Sequence, residues 1–418
     1  MKASRKEYVN CSQDVIKMIL SYGKPNCTGC GACHSICPQQ CIAMEQDNEG
    51  FLYPSVDEAN CIKCAKCENI CPHCMMREKA RKPLHIYASK NPDDEVRYQS
   101  SSGGVFSLFA EHVIGESGVV FGARFNDVWE VVHGYAEASE DIAAFRGSKY
   151  VQSVTGDTYV QAKEFLESGR KVLYSGTPCQ IAGLKAFLQR EYNNLLTVDF
   201  VCYGVPSPLV WKKYLSEIID RVICCTNIIN VKFKDKRHGW NKTCIFSIAY
   251  SNNEKIFSFT EASNVNHYMR GFFQNLYLRP SCYNCPVKSF KSGSDITVAD
   301  YWGIKNILPE FDDGKGTSLV IVNTEKALKI YSSLCKNDFE TTYADTLVGN
   351  PRIEVGLAFL PQERTLFFKK LYNEPVIALI KKMTSDSLCI RFRKIITILL
   401  SRFGLLNFVK SLLRYRWR

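Results

Sequence analysis

Residues 27–38 read CTGCGACHSICP, and residues 61–72 read CIKCAKCENICP. Both stretches space their cysteines as C-x-x-C-x-x-C-x-x-x-C followed by proline, and the second copy is the first displaced by 34 positions. A loop of this kind turns tightly enough to deliver three thiolates to one [4Fe–4S] cube, and in two-cluster ferredoxins the fourth cysteine reaches across to the other cube. The repeat therefore predicts a small two-cluster ferredoxin-like domain.

This crossed pattern assigns two sets of ligands. The first thiol set is Cys27, Cys30, Cys33 and Cys71, and the second thiol set is Cys37, Cys61, Cys64 and Cys67. A structural zinc site is the alternative, but zinc uses two cysteine pairs and would leave surplus thiols. Cys41 and Cys74, just past the fourth ligands, are interpreted as bystanders. Between the copies, residues 42–56 (IAMEQDNEGFLYPSV) predict two short strands joined by a turn at 48–50.

Composition agrees with metal chemistry in a reducing compartment. The chain has 418 residues, 46% hydrophobic and 23% charged, which is typical of a globular protein of two or three domains. Its 20 cysteines are clustered, its N-terminus lacks a signal-peptide pattern, and no run of about 18 apolar residues occurs. We therefore expect a cytoplasmic protein whose cysteines serve metal or redox chemistry instead of a disulfide framework.

The net charge of +11 is mostly local. Residues 387–418 carry eight Lys or Arg and no Asp or Glu, which leaves only +3 for the rest of the chain, so a nucleic-acid partner is not expected. On a helix, Ile395, Leu399, Phe403 and Leu406 would line one apolar face of this tail. The tail is interpreted either as a peripheral contact with an anionic membrane surface, at the inner face of the membrane, or as a terminal helix packed on the rest of the protein.

Beyond the predicted ferredoxin-like domain, which we call the head, strand and helix signals alternate in a larger region, which we call the body. Residues 169–189 (GRKVLYSGTPCQIAGLKAFLQ) predict a strand, a turn and a helix, and residues 195–219 repeat the arrangement with Ser207 as N-cap and Pro208 at the first helical position. Two such units predict a parallel α/β sheet, whose ligands gather outside the carboxyl ends of the strands.

Four further cysteines belong to this region. Cys179 and Cys202 each follow a predicted strand, and Cys282 and Cys285 form a C-x-x-C within RPSCYNCP (279–286). Together they are the third thiol set, which indicates either a third [4Fe–4S] cluster or, alternatively, two buried cysteines and a separate dithiol. Cys179 would sit at a helix N-terminus, where the dipole favours a thiolate.

The body carries neither a GxGxxG fingerprint nor a Walker A loop, so a Rossmann dinucleotide site is not supported. Residues 97–114 (RYQSSSGGVFSLFAEHVI) instead place a Ser/Gly turn before a helix, which is suited to cradling a phosphate on backbone N–H groups.

The order of several motifs is recognisable. The motifs are SSGGV (101–105), RGSKYVQS (146–153), SGTPCQIAGLK (175–185), VDFVCYGVPSP (198–208), KDKRHGW (234–240), RPSCYNCP (279–286) and SDITVADYWG (294–303). From about residue 25 to about residue 350 the chain resembles the coenzyme F-420 hydrogenase/dehydrogenase beta-subunit family. That family includes iron–sulfur flavoproteins such as 7-hydroxymethyl chlorophyll a reductase.

The resemblance implies a mixed α/β protein: a small ferredoxin-like head followed by a flavin- and cluster-binding body. The expected domains are 20–78 (head), 84–165 and 166–350 (two parts of the body, the second with the third cluster) and 351–418 (a helical basic tail). The resemblance also supports the third cluster and implies bound FAD. The implied flavin contacts are Ser102, Gly103, Gly104, Lys149, Tyr150, Gly176 and Thr177.

The implied function is an iron–sulfur flavoprotein oxidoreductase. It would pass electrons from a ferredoxin or another low-potential donor through the clusters to FAD and an organic acceptor. The alternative is an electron-transfer subunit of a larger complex with no substrate site of its own. Asp300 and Trp302 could shape the pocket or simply form a turn with a core aromatic. Tyr203 stands where many relatives have His, which leaves the substrate or protonation step open. The resemblance does not imply F-420 as the substrate either, because relatives occur in organisms without it.

Overall fold

The computed structural model describes residues 23–73, 81–224, 227–240, 244–357 and 360–385. Residues 386–418 of the predicted basic tail, with its predicted apolar face, and the cysteines at 11, 74, 225 and 389 lie outside these described residues.

The head is a hairpin flanked by short helices. Strands β1 (Ile42–Gln46) and β2 (Leu52–Val56) pair antiparallel, as the sequence predicts. The turn is held by Asp47, whose Oδ1 accepts the backbone N–H groups of Glu49 and Phe51 at 2.9 Å each. Within its described residues, the head has the helices α1 (Gly23–Asn26), α2 (Ala32–Ile36) and α3 (Lys66–Asn69).

The body is built on one eight-stranded mixed sheet. Its strands, in spatial order, are β13 (Asp338–Glu340), β3 (His85–Ser89), β12 (Ser318–Val322), β11 (Ile296–Asp300), β7 (Leu195–Phe200), β6 (Val172–Ser175), β4 (Val119–Phe125) and β5 (Val131–Ala136). The four central strands β11, β7, β6 and β4 run parallel, and the flanking pairs are antiparallel. The predicted parallel sheet is thus confirmed, and strands from 84–165 and from 166–350 share it.

Helices cover both faces of this sheet because its strands are apolar on both sides. On one face, α5 (Val105–Gly115) and α11 (Glu325–Leu334) pack on the sheet. On the other, α6 (Thr158–Glu167) and α7 (Pro178–Leu188) do so. Helix α7 begins at Pro178 after a Thr177 capping box, in the place predicted for it.

A second, three-stranded sheet and several helices complete the body. The strands are β8 (Ile228–Asp235), β9 (Ile245–Asn252) and β10 (Lys255–Ala262), all antiparallel. The remaining helices are α4 (Asp94–Gln99), α8 (Pro208–Ile218), α9 (His267–Phe273), α10 (Ile304–Ile307), α12 (Tyr343–Gly349), α13 (Gln362–Lys370) and α14 (Val376–Thr384). Ser207 caps α8 by accepting the N–H of Val210 at 3.2 Å, as predicted.

The head is packed into the body. Phe51 of the hairpin is fully buried in the aromatic core around Trp211, and Ala32 is fully buried against the α6/α7 face of the large sheet. Arg364 of α13 donates hydrogen bonds from both of its terminal nitrogens to the carboxylate of Glu49. These contacts set the cysteine loops of the head directly beside the body.

Candidate functional site

The first thiol set is brought together at the buried face of the head. Burial, together with the neighbouring thiols of Cys71 and Cys27, raises the pKa of Cys30 to about 12. Burial also raises the pKa of Cys33 well above its usual range, and Cys30, Cys27 and Cys71 add to the effect. Four thiols so close together repel one another as thiolates, a repulsion that iron would offset.

The second thiol set lines a cavity at the outer end of the head. Cys37, Cys61, Cys64 and Cys67 all line it, and Cys64 is exposed. Cys41 is a fifth thiol in the same cavity, with its Sγ 3.4 Å from that of Cys37.

The two cysteine loops share one backbone geometry. In the first copy Gly29 and Gly31 have φ of +67° and +81°. In the second copy the equivalent positions, Lys63 and Ala65, adopt φ of +55° and +56° without the freedom of glycine. The repeat in the sequence is therefore a repeat in conformation.

The third thiol set assembles from three separate segments. Cys179 is the second residue of α7, Cys202 follows β7, and the other two lie in and after the 3₁₀ turn Pro280–Asn284. Burial raises the pKa of Cys202 well above its usual range, and the thiols of Cys282, Cys179 and Cys285 raise it further, which places all four together. The N–H of Val205 donates to Cys282 Sγ at 3.4 Å.

The backbone N–H of Cys179, at the N-terminus of α7, lowers the pKa of its thiol, which is the direction predicted for this position. Burial raises the pKa of this thiol to about 11, with Cys285 acting in the same direction. The hydrogen bond to Thr177 Oγ1, at 3.1 Å, and the charge of Arg279 oppose that rise without reversing it. Desolvation is the largest contribution, so the pKa of the Cys179 thiol is raised overall.

Among the described residues, no three Cys, His, Asp or Glu side chains converge closely enough to hold a single metal ion. A tetrahedral zinc ion would need sulfurs within about 4 Å of one another, given Zn–S bonds of about 2.3 Å. A four-iron cube spreads its thiolates over the corners of a larger body. The chemistry and number of the donors therefore fit three cubes better than zinc ions.

The three thiol sets form a row. Cys67 of the second set acts electrostatically on Cys33 of the first, and Cys179 of the third set acts on Cys30 of the first. A Cβ atom built on Gly183 of α7 would lie 3.0 Å from Cys30 Sγ, so helix α7 carries Cys179 and also touches the first set. The order is second, first, third, running from the exposed end of the head into the body.

The Ser/Gly turn lies where β3, β12 and α5 meet. Gly103 must be glycine because a Cβ there would lie 2.5 Å from the backbone N of Ser318, and its own N–H donates to Ser318 Oγ at 3.0 Å. Ser102 Oγ donates to the carbonyl of Thr317 at 2.8 Å, and Gly104 caps α5 with φ of +78°. The N–H of Gly103 is thus already satisfied, although the sequence suggested it for a phosphate.

Lys149 lies between this turn and the end of β6. Its Nζ donates to the carbonyls of Arg146 at 3.1 Å and Gly147 at 3.2 Å, and burial lowers its pKa to about 7. Its charge also acts on His133, whose pKa burial lowers to about 4.

Three other predicted flavin contacts have mainly structural neighbours. Tyr150 packs its ring against Phe272 and Phe233. Gly176 and Thr177 form the turn between β6 and α7, next to Cys179. This turn and Lys149 lie toward the carboxyl ends of the parallel strands, where α/β sheets bind ligands.

At the same edge of the sheet, Asp300 and Trp302, which the sequence indicated as pocket residues, are joined by two lysines and a tryptophan that sequence reasoning missed. Lys234 makes an ion pair with Asp300 and lies 4.8 Å from the ring of Trp302, which stacks on Trp240 with 5.2 Å between centroids. Burial lowers the pKa of Lys236 to about 7, and its Nζ donates to the carbonyl of Arg97 at 2.7 Å. The signal for Lys234, Lys236 and Trp240 was the motif KDKRHGW at 234–240, to which sequence reasoning assigned no separate role.

Tyr203, the departure from the usual His, lies beside the third thiol set. Its ring is 4.9 Å from the guanidinium carbon of Arg352 and 5.2 Å from the ring of Phe272.

Two four-cysteine sets in a ferredoxin-like head, adjoining a third set in an α/β body, define an iron–sulfur electron-transfer protein. Residues 26–75 match the family model of a 4Fe-4S dicluster domain. Residues 169–346 match the family model for the C terminus of the beta subunit of coenzyme F420 hydrogenase/dehydrogenase. Both matches agree with the family resemblance that the motifs of the sequence indicate.

One similar solved structure is a chain of the F420-reducing [NiFe] hydrogenase complex from Methanosarcina barkeri. The two are 18% identical with a TM-score of 0.42, over 72% of this chain and 91% of that one. None of the curated proteins matches this chain. No helix in the described part of the chain is long and apolar enough to cross a membrane.

Proposed function

We propose that this chain is an iron–sulfur flavoprotein oxidoreductase that links a ferredoxin-type donor to an organic acceptor. Three [4Fe–4S] clusters would be held by the first, second and third thiol sets, and FAD by the body. The observation that carries the proposal is the row of thiol sets, with Cys30 beside Cys179. A row of this kind suits one-electron transfer, which is the chemistry that [4Fe–4S] clusters supply.

Solvent exposure and hydrogen bonding to sulfur differ along that row of thiol sets. Cys64 is exposed, so the outer end of the head is accessible to a protein donor. Cys30 is buried, so water is kept from the middle of the row. Exclusion of solvent and hydrogen bonds to sulfur, such as that from Val205 N–H to Cys282, are the means by which proteins set cluster potentials.

The residues at the edge of the large sheet fit a phosphorylated aromatic cofactor. Lys149 and Lys236 donate to carbonyl groups, and burial depresses the pKa of both, so an anion there would offset the cost of their charge. Trp302 is 37% exposed and offers a ring near Lys234 and Asp300. FAD would supply the exchange between two-electron and one-electron chemistry, while the protein binds and orients it.

The deciding experiment is anaerobic purification with determination of iron, acid-labile sulfide and released flavin per chain. Iron and sulfide for three four-iron clusters, with one FAD, would support the flavoenzyme. Iron for two clusters and no flavin would instead favour the alternative, an electron-transfer subunit without a substrate site. Reduction of the bound flavin by a reduced ferredoxin would then test the donor.

The basic tail would add a peripheral contact with the inner face of the membrane. Liposomes of anionic and of neutral lipid, each mixed with the full chain and with a version ending at residue 387, test it by co-sedimentation. Selective binding of the full chain to anionic liposomes is expected. Equal binding of the two versions would contradict this contact and leave the redox proposal intact.

A further inference from the structure

Arg279 is a fully buried arginine at the junction of head and body, with 0% of its surface exposed. Its Nε donates to the carbonyl of Cys27 at 2.8 Å and its Nη2 to the carbonyl of Leu52 at 2.9 Å, both in the head. Its Nη1 donates to Gln152 Oε1 at 2.9 Å, in the body. The guanidinium carbon lies 4.2 Å from the ring of Tyr53. The guanidinium group of Arg279 is therefore held in one orientation.

The charge of Arg279 has no carboxylate partner within the described ranges of the chain. The nearest comparison is Arg364, also buried at the head–body junction, whose charge is neutralised by Glu49. A buried cation without a counter-charge is costly, so it is retained where another anion faces it. The group that Arg279 does face is a thiol: its Nη2 lies 3.7 Å from Cys27 Sγ.

Arg279 touches two thiol sets at once. Cys27 belongs to the first set, and the backbone carbonyl of Arg279 accepts the N–H of Cys282, in the third set, at 3.0 Å. Its charge also acts on the thiols of Cys179 and Cys282. Its hydrogen bonds in the head go to Cys27 and Leu52, and none goes to the second set.

The packing around this cation is close. A Cβ atom on Gly29, inside the first cysteine loop, would lie 2.7 Å from Arg279 Nη1. Gly29 also has φ of +67°, so glycine is required there both by the turn and by the guanidinium. The loop that presents the first thiol set is thus shaped around Arg279.

We propose that Arg279 is a positioning residue whose buried charge raises the reduction potentials of the clusters in the first and third thiol sets, but not of the second. Adding one electron, here from dithionite, makes a cluster more negative by one charge without a proton. A fixed cation nearby favours that reduced state in a low-dielectric site. The inference rests on the proposed clusters.

The test is an anaerobic redox titration of the holoprotein followed by EPR, comparing the wild type with Arg279→Gln, Arg279→Lys and Arg364→Gln. Arg279→Gln removes the charge but keeps a hydrogen-bonding group. Signals are assigned to each cluster in a Cys285→Ser background, which alters the third cluster, and in a Cys64→Ser background, which alters the second, so that the first is identified by difference. At fixed ambient potential we expect Arg279→Gln to lower the reduced-to-oxidised ratio of the first and third clusters at least tenfold, which is about 59 mV for a one-electron couple.

Arg364→Gln is the matched control, because it removes a buried head–body arginine whose charge is already paired. We expect it to leave the three potentials within about 20 mV of wild type, equivalent to a roughly twofold ratio. Unchanged potentials in Arg279→Gln, or equal shifts of all three clusters, would overturn the inference.

If Arg279→Gln is recovered without its full iron, Arg279→Lys decides the matter. Retention of full iron by the lysine variant supports a role for the charge. Loss of iron from the lysine variant as well would show that only the geometry of the guanidinium group matters, and it would overturn the inference. Wild-type protein with fewer than three clusters would instead refute the proposed function itself, so the two failures are distinguishable.

Discussion

The substitution Gly183→Ala tests whether helix α7, which carries Cys179 of the third thiol set, also contacts the first thiol set. A Cβ atom at this position would lie 2.9 Å from Cys30 Cβ, 3.0 Å from Cys30 Sγ and 3.0 Å from the hydroxyl of Tyr159. Carbon contacts settle at about 3.5–4.0 Å, so Gly183→Ala requires Cys30 to move by about 0.5–1 Å. Metal–ligand distances tolerate only about 0.2 Å, so the first cluster cannot follow such a shift unchanged.

The expected effect on stability is small and the effect on iron is large. Alanine is favoured over glycine inside a helix by about 1 kcal/mol, whereas overpacking costs about 1–3 kcal/mol, so the net loss is at most about 2 kcal/mol. Iron and sulfide per chain should fall by roughly a third, the share of one cluster among three. Anaerobic iron and sulfide analysis, EPR of the reduced protein and thermal denaturation measure both effects.

The matched control is Gly115→Ala in helix α5. Gly115 ends that helix, and a Cβ there would meet nothing within 4 Å. This variant should keep all of its iron and gain about 0.5–1 kcal/mol of stability. If Gly183→Ala behaves like Gly115→Ala, with full iron and raised stability, the contact between α7 and the first thiol set is refuted.

Three further predictions concern single side chains. Cys41 Sγ lies 3.4 Å from Cys37 Sγ, so the Cys37→Ser variant should keep its second cluster by recruiting Cys41 as a ligand. The double Cys37→Ser/Cys41→Ser variant should lose that cluster, and equal iron in the two variants would contradict this prediction. Burial raises the pKa of Asp199 to about 6 against 3.8 in the unfolded chain, so between those values the folded state binds more protons and the free energy of unfolding falls as pH rises. Asp199→Asn should remove that fall and raise the melting temperature more at pH 7.5 than at pH 5.5, and an equal change at both pH values would argue against an ionised buried carboxyl. Cys202→Ser should remove the iron of the third cluster alone, whereas Cys335→Ser, a buried cysteine outside all three sets, should remove none, as iron analysis would show.

The elements that sequence reasoning placed correctly are those whose signals are local. The hairpin follows from the turn at 48–50, and the two strand–helix units follow from their caps and apolar runs, all of which act within a few residues. The ligand-rich loops follow from their spacing, because each loop is a single turn. Even so, Lys63 and Ala65 gave no sign that they adopt the left-handed backbone that Gly29 and Gly31 adopt in the other copy.

The amino-acid sequence by itself determined the two cysteine loops, the parallel sheet and the motifs that carry the family resemblance. Only the tertiary structure decided that Cys30 lies beside Cys179, that Cys41 lies beside Cys37 in a shared cavity, and that Arg279 stands between two thiol sets without a carboxylate partner among the described residues. Spacing along the chain carries information about neighbours in one turn or one helix. Arg279 and Cys27, in contrast, are separated by more than half the chain, and their contact results from the packing of the head on the body.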